Sequence, residues 1–247
     1  MGDILGIGVT HYPGLIQPDQ QMAGLLDRTL NSDQVPDAMK DPARWPEQMR
    51  REWADPLAAA KEHRARLVGG FRKCREALDA FKPDFVLIWG DDQYENFRED
   101  IIPPFSILAY EQVTARPWEP ATTSPSMKGK PNVWNEGPDF EIKIRCHREG
   151  AKYLVEQLLE QDFDIAYAYE PLHHKSLSHA FLNAILFLDY DRRGFQHRVI
   201  PFPINCYGRE VIGYRGFADS LGHKPPPDPP SPSPRRCYDL GAAVARI

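Results

Sequence analysis

The sequence is poor in cysteine and has no hydrophobic run of membrane-spanning length. Four cysteines are spread over 247 residues, at positions 74, 146, 206 and 237, and no CxxC pair occurs. This pattern argues against a zinc knuckle or a disulfide framework and is typical of reduced thiols in a cytosol. The sequence also lacks a signal-peptide pattern. We therefore predict a cytoplasmic protein without a membrane partner.

Clustered positive charge is also missing. The chain carries 30 Lys and Arg against 35 Asp and Glu, a net charge of −5, and its basic residues are scattered. This balance gives no indication of a nucleic-acid partner. With 42% hydrophobic and 26% charged residues, the composition is that of an ordinary globular protein. The length favours one domain covering residues 1–247.

Apolar runs of strand length alternate with helical patterns along the chain. Strands are predicted at residues 4–10, 85–89, 105–110, 164–169 and 199–205. Helices are predicted at residues 22–30, within 47–81, and at 145–161, 180–188 and 239–247. The alternation predicts an α/β fold, with a central, mostly parallel sheet flanked by helices on both faces and long loop insertions. The longest loop, residues 113–140, contains Trp118 and Trp134 and is predicted to be a lid.

An acidic turn follows the second predicted strand. That strand is an unbroken apolar run, of the kind buried on both faces of a parallel sheet. Just past it lie five oxygen-rich side chains, those of Asp91, Asp92, Gln93, Glu95 and Asn96. Ligands bind at the carboxyl edge of such sheets, and a cation there would relieve the repulsion between carboxylates. The alternative interpretation is a solvated turn that caps the next segment.

Histidines follow two other predicted strands. His11 comes directly after the first strand, which a Pro-Gly pair ends. A lone histidine in this place is more often structural than a ligand, but parallel strands would bring His11 to the same edge as the acidic turn. His173, His174 and His179 follow the fourth strand, and three histidines within seven residues are uncommon.

The end of the chain departs from the alternating pattern. Residues 221–236 hold seven prolines, which excludes a helix or a central strand and predicts an extended insertion. A helix follows at residues 239–247, with Asp239 as its predicted N-cap and no further element after it. We therefore expect the domain to be incomplete at its C-terminus, as a piece of a longer protein.

Three sequence blocks resemble the class III extradiol ring-cleavage dioxygenases, the family of the catalytic subunit of protocatechuate 4,5-dioxygenase. The first is GVTHYP at residues 8–13, and the second is the strand and acidic turn at residues 86–97. The third is LSHAF at residues 177–181, followed by IPFPIN at residues 200–205. Each block is short, and their order and spacing carry the resemblance.

The resemblance implies an Fe(II)-dependent enzyme that opens a catechol-type ring with O2. His11 would be an iron ligand, and His179 would bond the substrate hydroxyl or bound oxygen as a catalytic residue. Tyr12, His173 and His174 are predicted to contact the substrate. The resemblance also implies a homo-oligomer or association with a small second subunit.

One ligand position departs from the family pattern. Where the family has its second histidine ligand, this chain has Gln93, preceded by Asp92. Imidazole suits a 2-His-1-carboxylate Fe(II) site better than an amide oxygen does. Either Asp92 or Gln93 therefore binds the metal differently, or the site is altered or lost. The family's glutamate ligand and its main acid–base histidine are expected beyond Ile247.

Two other functions remain open. A non-catalytic homologue would keep the fold and bind an aromatic ligand or a partner subunit, as the substitution at Gln93 favours. A metal-dependent hydrolase would use the same acidic turn, with Asp91 and Asp92 as ligands. Metal content and oxygen consumption with catechols distinguish the three functions.

Overall fold

A computed structural model describes residues 2–33, 35–93, 95–98, 100–119, 128–204 and 231–247. Its internal packing divides the chain into two compact units. The first unit comprises Met1–Ala80 and Pro117–Phe140, and the second comprises Phe81–Arg116 and Glu141–Ile247. No helix in these described ranges has the length and apolar character needed to cross a bilayer. The prediction of one domain stays a prediction.

The first unit is helical where the structure describes it. Its helices are α1 (Asp19–Ala23), α2 (Leu25–Leu30), α3 (Glu47–Ala54) and α4 (Pro56–Phe81), with short 3-10 turns at Pro13–Ile16, Asp37–Met39 and Pro42–Arg44. The predicted helical segment at residues 47–81 is therefore two helices, which meet at Asp55. Arg64 on α4 is buried and donates to the Asp19 carboxylate (2.6 Å) and the Leu15 carbonyl (2.7 Å).

The strand predicted at residues 4–10 is wrong. Residues 2–12 have no regular secondary structure, and Ile4 is 81% exposed. Gly6 and Gly8 add no side chains that could pack on a sheet, and a strand is stable only where a neighbour pairs with its backbone. The parallel-strand argument that placed His11 beside the acidic turn is therefore wrong as well. The ligand role of His11 depends on the resemblance alone.

The second unit has an α/β fold, as predicted. Its strands are β1 (Val86–Gly90), β2 (Ser106–Leu108), β3 (Gln112–Ala115), β4 (Ile142–Arg145), β5 (Ala166–Ala168) and β6 (Val199–Pro203). Its helices are α5 (Arg148–Leu159), α6 (His179–Leu188) and α7 (Pro234–Val244). β1 pairs in parallel with β6, β2 pairs in parallel with β5, and β3 pairs antiparallel with β4. β2 also lies beside β6, so the two parallel pairs adjoin. β3 overlaps the start of the predicted loop at residues 113–140, and β4 begins just after its end.

β1 is more exposed than its apolar sequence predicts. Phe85 is 38% and Trp89 is 41% exposed, so burial on both faces is wrong. β6 is the fully buried strand of the pair, and Trp89 stacks on its Phe202 with ring centroids 4.3 Å apart. β1 thus lies at the side of the sheet, next to solvent, and its carboxyl end leads into the acidic turn.

The core of the second unit lies between the parallel strands and the helices. The helix predicted at residues 180–188 is confirmed as part of α6, and these residues are all buried. The Phe181 side chain lies against Gly90 at the end of β1, where an added Cβ would be only 2.9 Å from the ring. This close approach fixes the start of α6 beside the end of β1. On α5 the side chains of Ala151, Leu154, Val155 and Leu158 are buried, whereas Leu159 is 47% exposed.

The last helix begins earlier than the sequence predicts. α7 starts at Pro234, and the Ser233 hydroxyl caps it by accepting the Arg236 N–H (3.2 Å). Proline is favoured in the first turn of a helix because its missing N–H would have no partner there. Asp239 is therefore not the cap, and it pairs instead with Arg235 (3.0 Å). Residues 221–230 of the predicted proline-rich insertion lie outside the described residues.

Candidate active site

The acidic turn after β1 is buried and closed by one carboxylate. Asp92 accepts the backbone N–H of Asn96 through Oδ1 (2.9 Å), and those of Phe97 (3.1 Å) and Glu95 (3.3 Å) through Oδ2. Aspartate favours such turns because its short side chain reaches the backbone a few residues on. Burial raises the pKa of the Asp92 carboxyl, although its N–H donors act in the opposite direction. The alternative of a solvated turn is wrong, since Asp91 and Asp92 are only 8% and 5% exposed.

His179 and Glu95 form a hydrogen-bonded pair at the start of α6. Nδ1 of His179 lies 2.8 Å from Oε2 of Glu95, and the His179 backbone N–H donates to the same carboxylate at 3.1 Å. The N-cap residue Ser178 makes no side-chain cap, so Glu95 supplies this function from another segment. A carboxylate is stabilised at a helix N-terminus, where the backbone N–H groups and the helix dipole are positive. One carboxylate therefore fixes both the helix start and the imidazole ring.

The electrostatics of the pair favour a charged imidazole. The hydrogen bond from His179 to Glu95 raises the pKa of His179, while partial burial acts in the opposite direction. The negative charges of Glu95, Asp91 and Asp92 raise it further. A histidine held by a carboxylate can accept a proton from a substrate and return it, with the carboxylate stabilising the imidazolium. The pair therefore has the parts of a general acid–base site.

Asn96 joins the acidic turn to the segment that precedes α6. Its Oδ1 accepts the Ser178 N–H (2.8 Å), and its Nδ2 donates to the carbonyls of Ser176 (2.8 Å) and His174 (3.4 Å). The Ser178 hydroxyl adds a bond to the Asp91 carbonyl (3.2 Å). Asn96 is 5% exposed, so these bonds are shielded from water. Two segments that lie about eighty residues apart in sequence are thus held together at the end of β1.

The other histidines of the cluster lie along the same junction. His173 pairs with the Asp100 carboxylate through Nε2 (2.9 Å), and this hydrogen bond lowers the pKa of Asp100. His174 contributes its backbone carbonyl to Asn96. The structure therefore brings His173, His174 and His179 together with the acidic turn in one unit. Their roles with a substrate stay predictions.

His11 and Tyr12 lie in the first unit. His11 is half-buried in the irregular segment that precedes the first 3-10 turn, and the Tyr12 N–H donates to the Thr10 hydroxyl (3.1 Å). Burial raises the pKa of the Tyr12 hydroxyl. Both residues are thus partly accessible side chains on a segment without strand structure. The prediction that they bind iron or substrate is untested.

The described residues around the turn do not complete an Fe(II) site. Such a site needs about three protein ligands, commonly two histidines and a carboxylate. Both oxygens of Asp92 accept backbone N–H groups, and Nε2 of Gln93 donates to Oδ2 of Asp91 (2.9 Å). Across the described ranges, no three His, Cys, Asp or Glu side chains are grouped so that they could hold a metal ion. As they are bonded here, Asp92 and Gln93 stabilise the turn.

The first unit contains a cavity of about 350 Å³ beside the predicted lid. Trp118 lines it, and its Nε1 donates to Oε2 of Glu136 (2.8 Å). The Trp118 and Trp134 rings lie 5.6 Å apart between centroids. These contacts give the described part of residues 117–140 its own packing within the first unit. The lid role stays a prediction.

Two features of the site were missed by sequence reasoning. Glu95 was one of five oxygen-rich residues in the turn, and nothing local indicates that its partner is His179, 84 residues away. Tyr110 follows β2 and is buried, and burial together with the charge of Asp92 raises the pKa of its hydroxyl. The sequence did carry a signal for the Glu95–His179 pair. The acidic turn and the histidine cluster each follow a predicted strand, and a parallel sheet brings the ends of its strands to one edge.

Comparisons with known proteins add no relative. No protein-family model and no curated protein sequence matches this chain. The resemblance to the extradiol dioxygenases therefore stays a prediction from three short motifs.

Proposed function

We propose that this protein opens a catechol-type aromatic ring with O2, as the extradiol dioxygenases that it resembles do, and that His179 is its acid–base residue. The observation that carries the proposal is the His179–Glu95 pair at the carboxyl end of β1. The second and third blocks of the resemblance supply the two partners. The strands of the same two blocks, β1 and β6, are hydrogen-bonded neighbours.

The proposed role of His179 is to move the proton of a substrate hydroxyl. The neutral ring keeps its proton on Nδ1, which is hydrogen-bonded to Glu95. It accepts the substrate proton at Nε2 and becomes an imidazolium. The Glu95 carboxylate stabilises this charge, and the same nitrogen returns the proton as the product forms. Acid–base transfer by a positioned side chain contributes typically ~10²–10⁴-fold in rate. Both atoms of O2 enter the product, so the reaction needs no separate reductant.

Fe(II) stays the cofactor that the resemblance predicts, with His11, Asp92 and Gln93 as its predicted ligands. Asp92 already accepts backbone N–H groups of the turn, and Gln93 already donates to Asp91. Fe(II) content after anaerobic loading tests the assignment. We expect wild type to bind Fe(II) and His11→Ala to lose most of it, since losing one of about three ligands weakens a site sharply. Equal Fe(II) content in a folded His11→Ala variant would contradict it.

The activity itself is tested by oxygen consumption with a panel of catechols that carry different ring substituents. The expected result is uptake of one O2 for each ring opened, with a coloured product from at least one catechol. Association with a second copy or a small subunit also stays a proposal, so the assay should be repeated over a range of protein concentrations.

A non-catalytic homologue is the second candidate, and the bonding of Asp92 favours it. A carboxylate whose two oxygens both hold backbone N–H groups has a structural role. Such a protein would bind a catechol, measured by calorimetry, without consuming oxygen. Binding together with uptake would exclude this candidate.

A further inference from the structure

We infer that Asn96 is the positioning residue of the site: its side-chain amide holds the segment before α6 so that the His179 ring meets Glu95. The inference rests on the proposed role of His179 and adds a residue to it. The geometry behind it is the set of three hydrogen bonds from one buried amide to the backbone of residues 174–178.

The amide acts at the residue next to the histidine. Oδ1 of Asn96 accepts the N–H of Ser178, the N-cap of α6, and His179 is the first residue of that helix. Nδ2 of Asn96 donates to the carbonyls of His174 and Ser176. The segment that leads into α6 is therefore bonded to Asn96 at both of its ends, residues 174 and 178. The Asn96 amide therefore influences the position of the His179 ring through the backbone of residues 174–178.

The acidic turn holds Asn96 in place. The Asn96 N–H is bonded to Oδ1 of Asp92 (2.9 Å), and the turn continues directly from β1. Glu95 is the neighbouring residue, so one short segment carries both the carboxylate that binds His179 and the amide that binds Ser178. If the amide is removed, the helix start keeps its own bonds to Glu95 and Asp91 but loses the three bonds that hold residues 174–178 to the turn. Small displacements of this kind, about 1 Å, reduce catalytic rates strongly.

A spectroscopic signature separates positioning from stability. A ring Nδ1–H bonded to a carboxylate is strongly polarised and gives a proton resonance far downfield. We expect Asn96→Ala to lose this His179 resonance, or to broaden it, under conditions in which the variant keeps native near-ultraviolet dichroism. Val155→Ala is the control: it weakens the core of the same unit by packing alone and should keep the resonance at the wild-type position.

A second pair of variants tests the same bond from the other side. Ser178 has a φ of −57°, which proline adopts readily, so Ser178→Pro deletes the N–H that Asn96 accepts. Ser178→Ala keeps that N–H and deletes only the hydroxyl bond to Asp91. We expect the resonance to be lost in Ser178→Pro and kept in Ser178→Ala. This pair decides the matter if Asn96→Ala does not fold.

Activity provides the second readout. We expect Asn96→Ala to lower kcat about tenfold with little change in KM, since a misplaced base affects the reaction more than binding. Loss of the resonance in a protein that opens no ring would uphold the positioning role and remove the proposed function. A folded Asn96→Ala that keeps the resonance at its wild-type shift would overturn the inference, as would a folded Ser178→Pro that does so.

Discussion

Replacing Gly90 by alanine tests how closely β1 and α6 are packed at the site. A Cβ at this position would lie 2.9, 3.1 and 3.3 Å from three ring atoms of Phe181. Contacts this short force a displacement, and Phe181 is fully buried, so its ring has no open space to enter. The φ of Gly90 lies outside the left-handed region, so the backbone itself tolerates alanine. The cost therefore comes from packing.

The expected size follows from two opposing contributions. Overpacking a core costs about 1–3 kcal/mol. Replacing glycine by alanine gains about 0.4–1 kcal/mol by restricting the unfolded chain. We therefore expect Gly90→Ala to lower the free energy of unfolding by about 1–2 kcal/mol, measured by urea denaturation. Gly241→Ala is the matched control, since an added Cβ there meets nothing within 4 Å, and it should gain about 0.5–1 kcal/mol in a helix.

A double-mutant cycle assigns the cost to the ring. Phe181→Leu removes ring atoms that the new methyl group would meet, so the double variant should lose less than the sum of the single losses. A coupling of at least about 0.5 kcal/mol is expected for residues in contact. Two results would refute the reasoning: a Gly90→Ala variant as stable as wild type, or single costs that add in full. Either would mean that α6 does not pack against β1 as described.

The remaining predictions concern charge and burial. Glu95→Gln should lower the pKa of His179 towards that of an ordinary histidine, because it removes the hydrogen-bonded charge that raises it. In wild type the pair stabilises the fold fully below the unfolded-state pKa of the histidine, and this stability is lost as the pH rises through the higher folded-state pKa. Urea unfolding at several values over roughly pH 5–8 should show this dependence in wild type and a weaker one in Glu95→Gln, where Asp91 and Asp92 still raise the pKa of His179. Cys146 should be alkylated only on unfolding, because burial raises the pKa of its thiol to about 12; peptide mapping should find half-buried Cys74 and Cys237 modified earlier, and equal rates would contradict this.

The elements predicted well are those whose sequence signal is local. The apolar runs of β1 and β6 and the buried stretch of α6 are confirmed because each has a continuous hydrophobic pattern of the right length. The strand at residues 4–10 has the same kind of pattern and is wrong, since a strand also depends on a pairing partner elsewhere in the chain. The β3–β4 pair was missed for the converse reason, as its strands are only four residues long.

The sequence predicts where the site lies, but it does not predict which of its side chains are hydrogen-bonded to each other. The residues of the acidic turn and the histidine cluster each follow a strand, and a parallel sheet brings such positions to one edge. Which carboxylate meets which histidine depends on side-chain geometry across 84 residues of sequence, and no local pattern encodes it. Asn96 is similar: its sequence context indicates a turn residue, and only packing shows that its amide reaches the segment before α6.

The central claim is that His179 moves the substrate proton in an oxygen-dependent ring opening. The most direct measurement is kcat for oxygen consumption, with the preferred catechol, in wild type, His179→Gln and His63→Gln. His63 lies exposed on α4 and is the matched control. The account predicts a fall of at least about 10²-fold in His179→Gln and a wild-type kcat in His63→Gln. A folded His179→Gln variant that consumes oxygen as fast as wild type would contradict it.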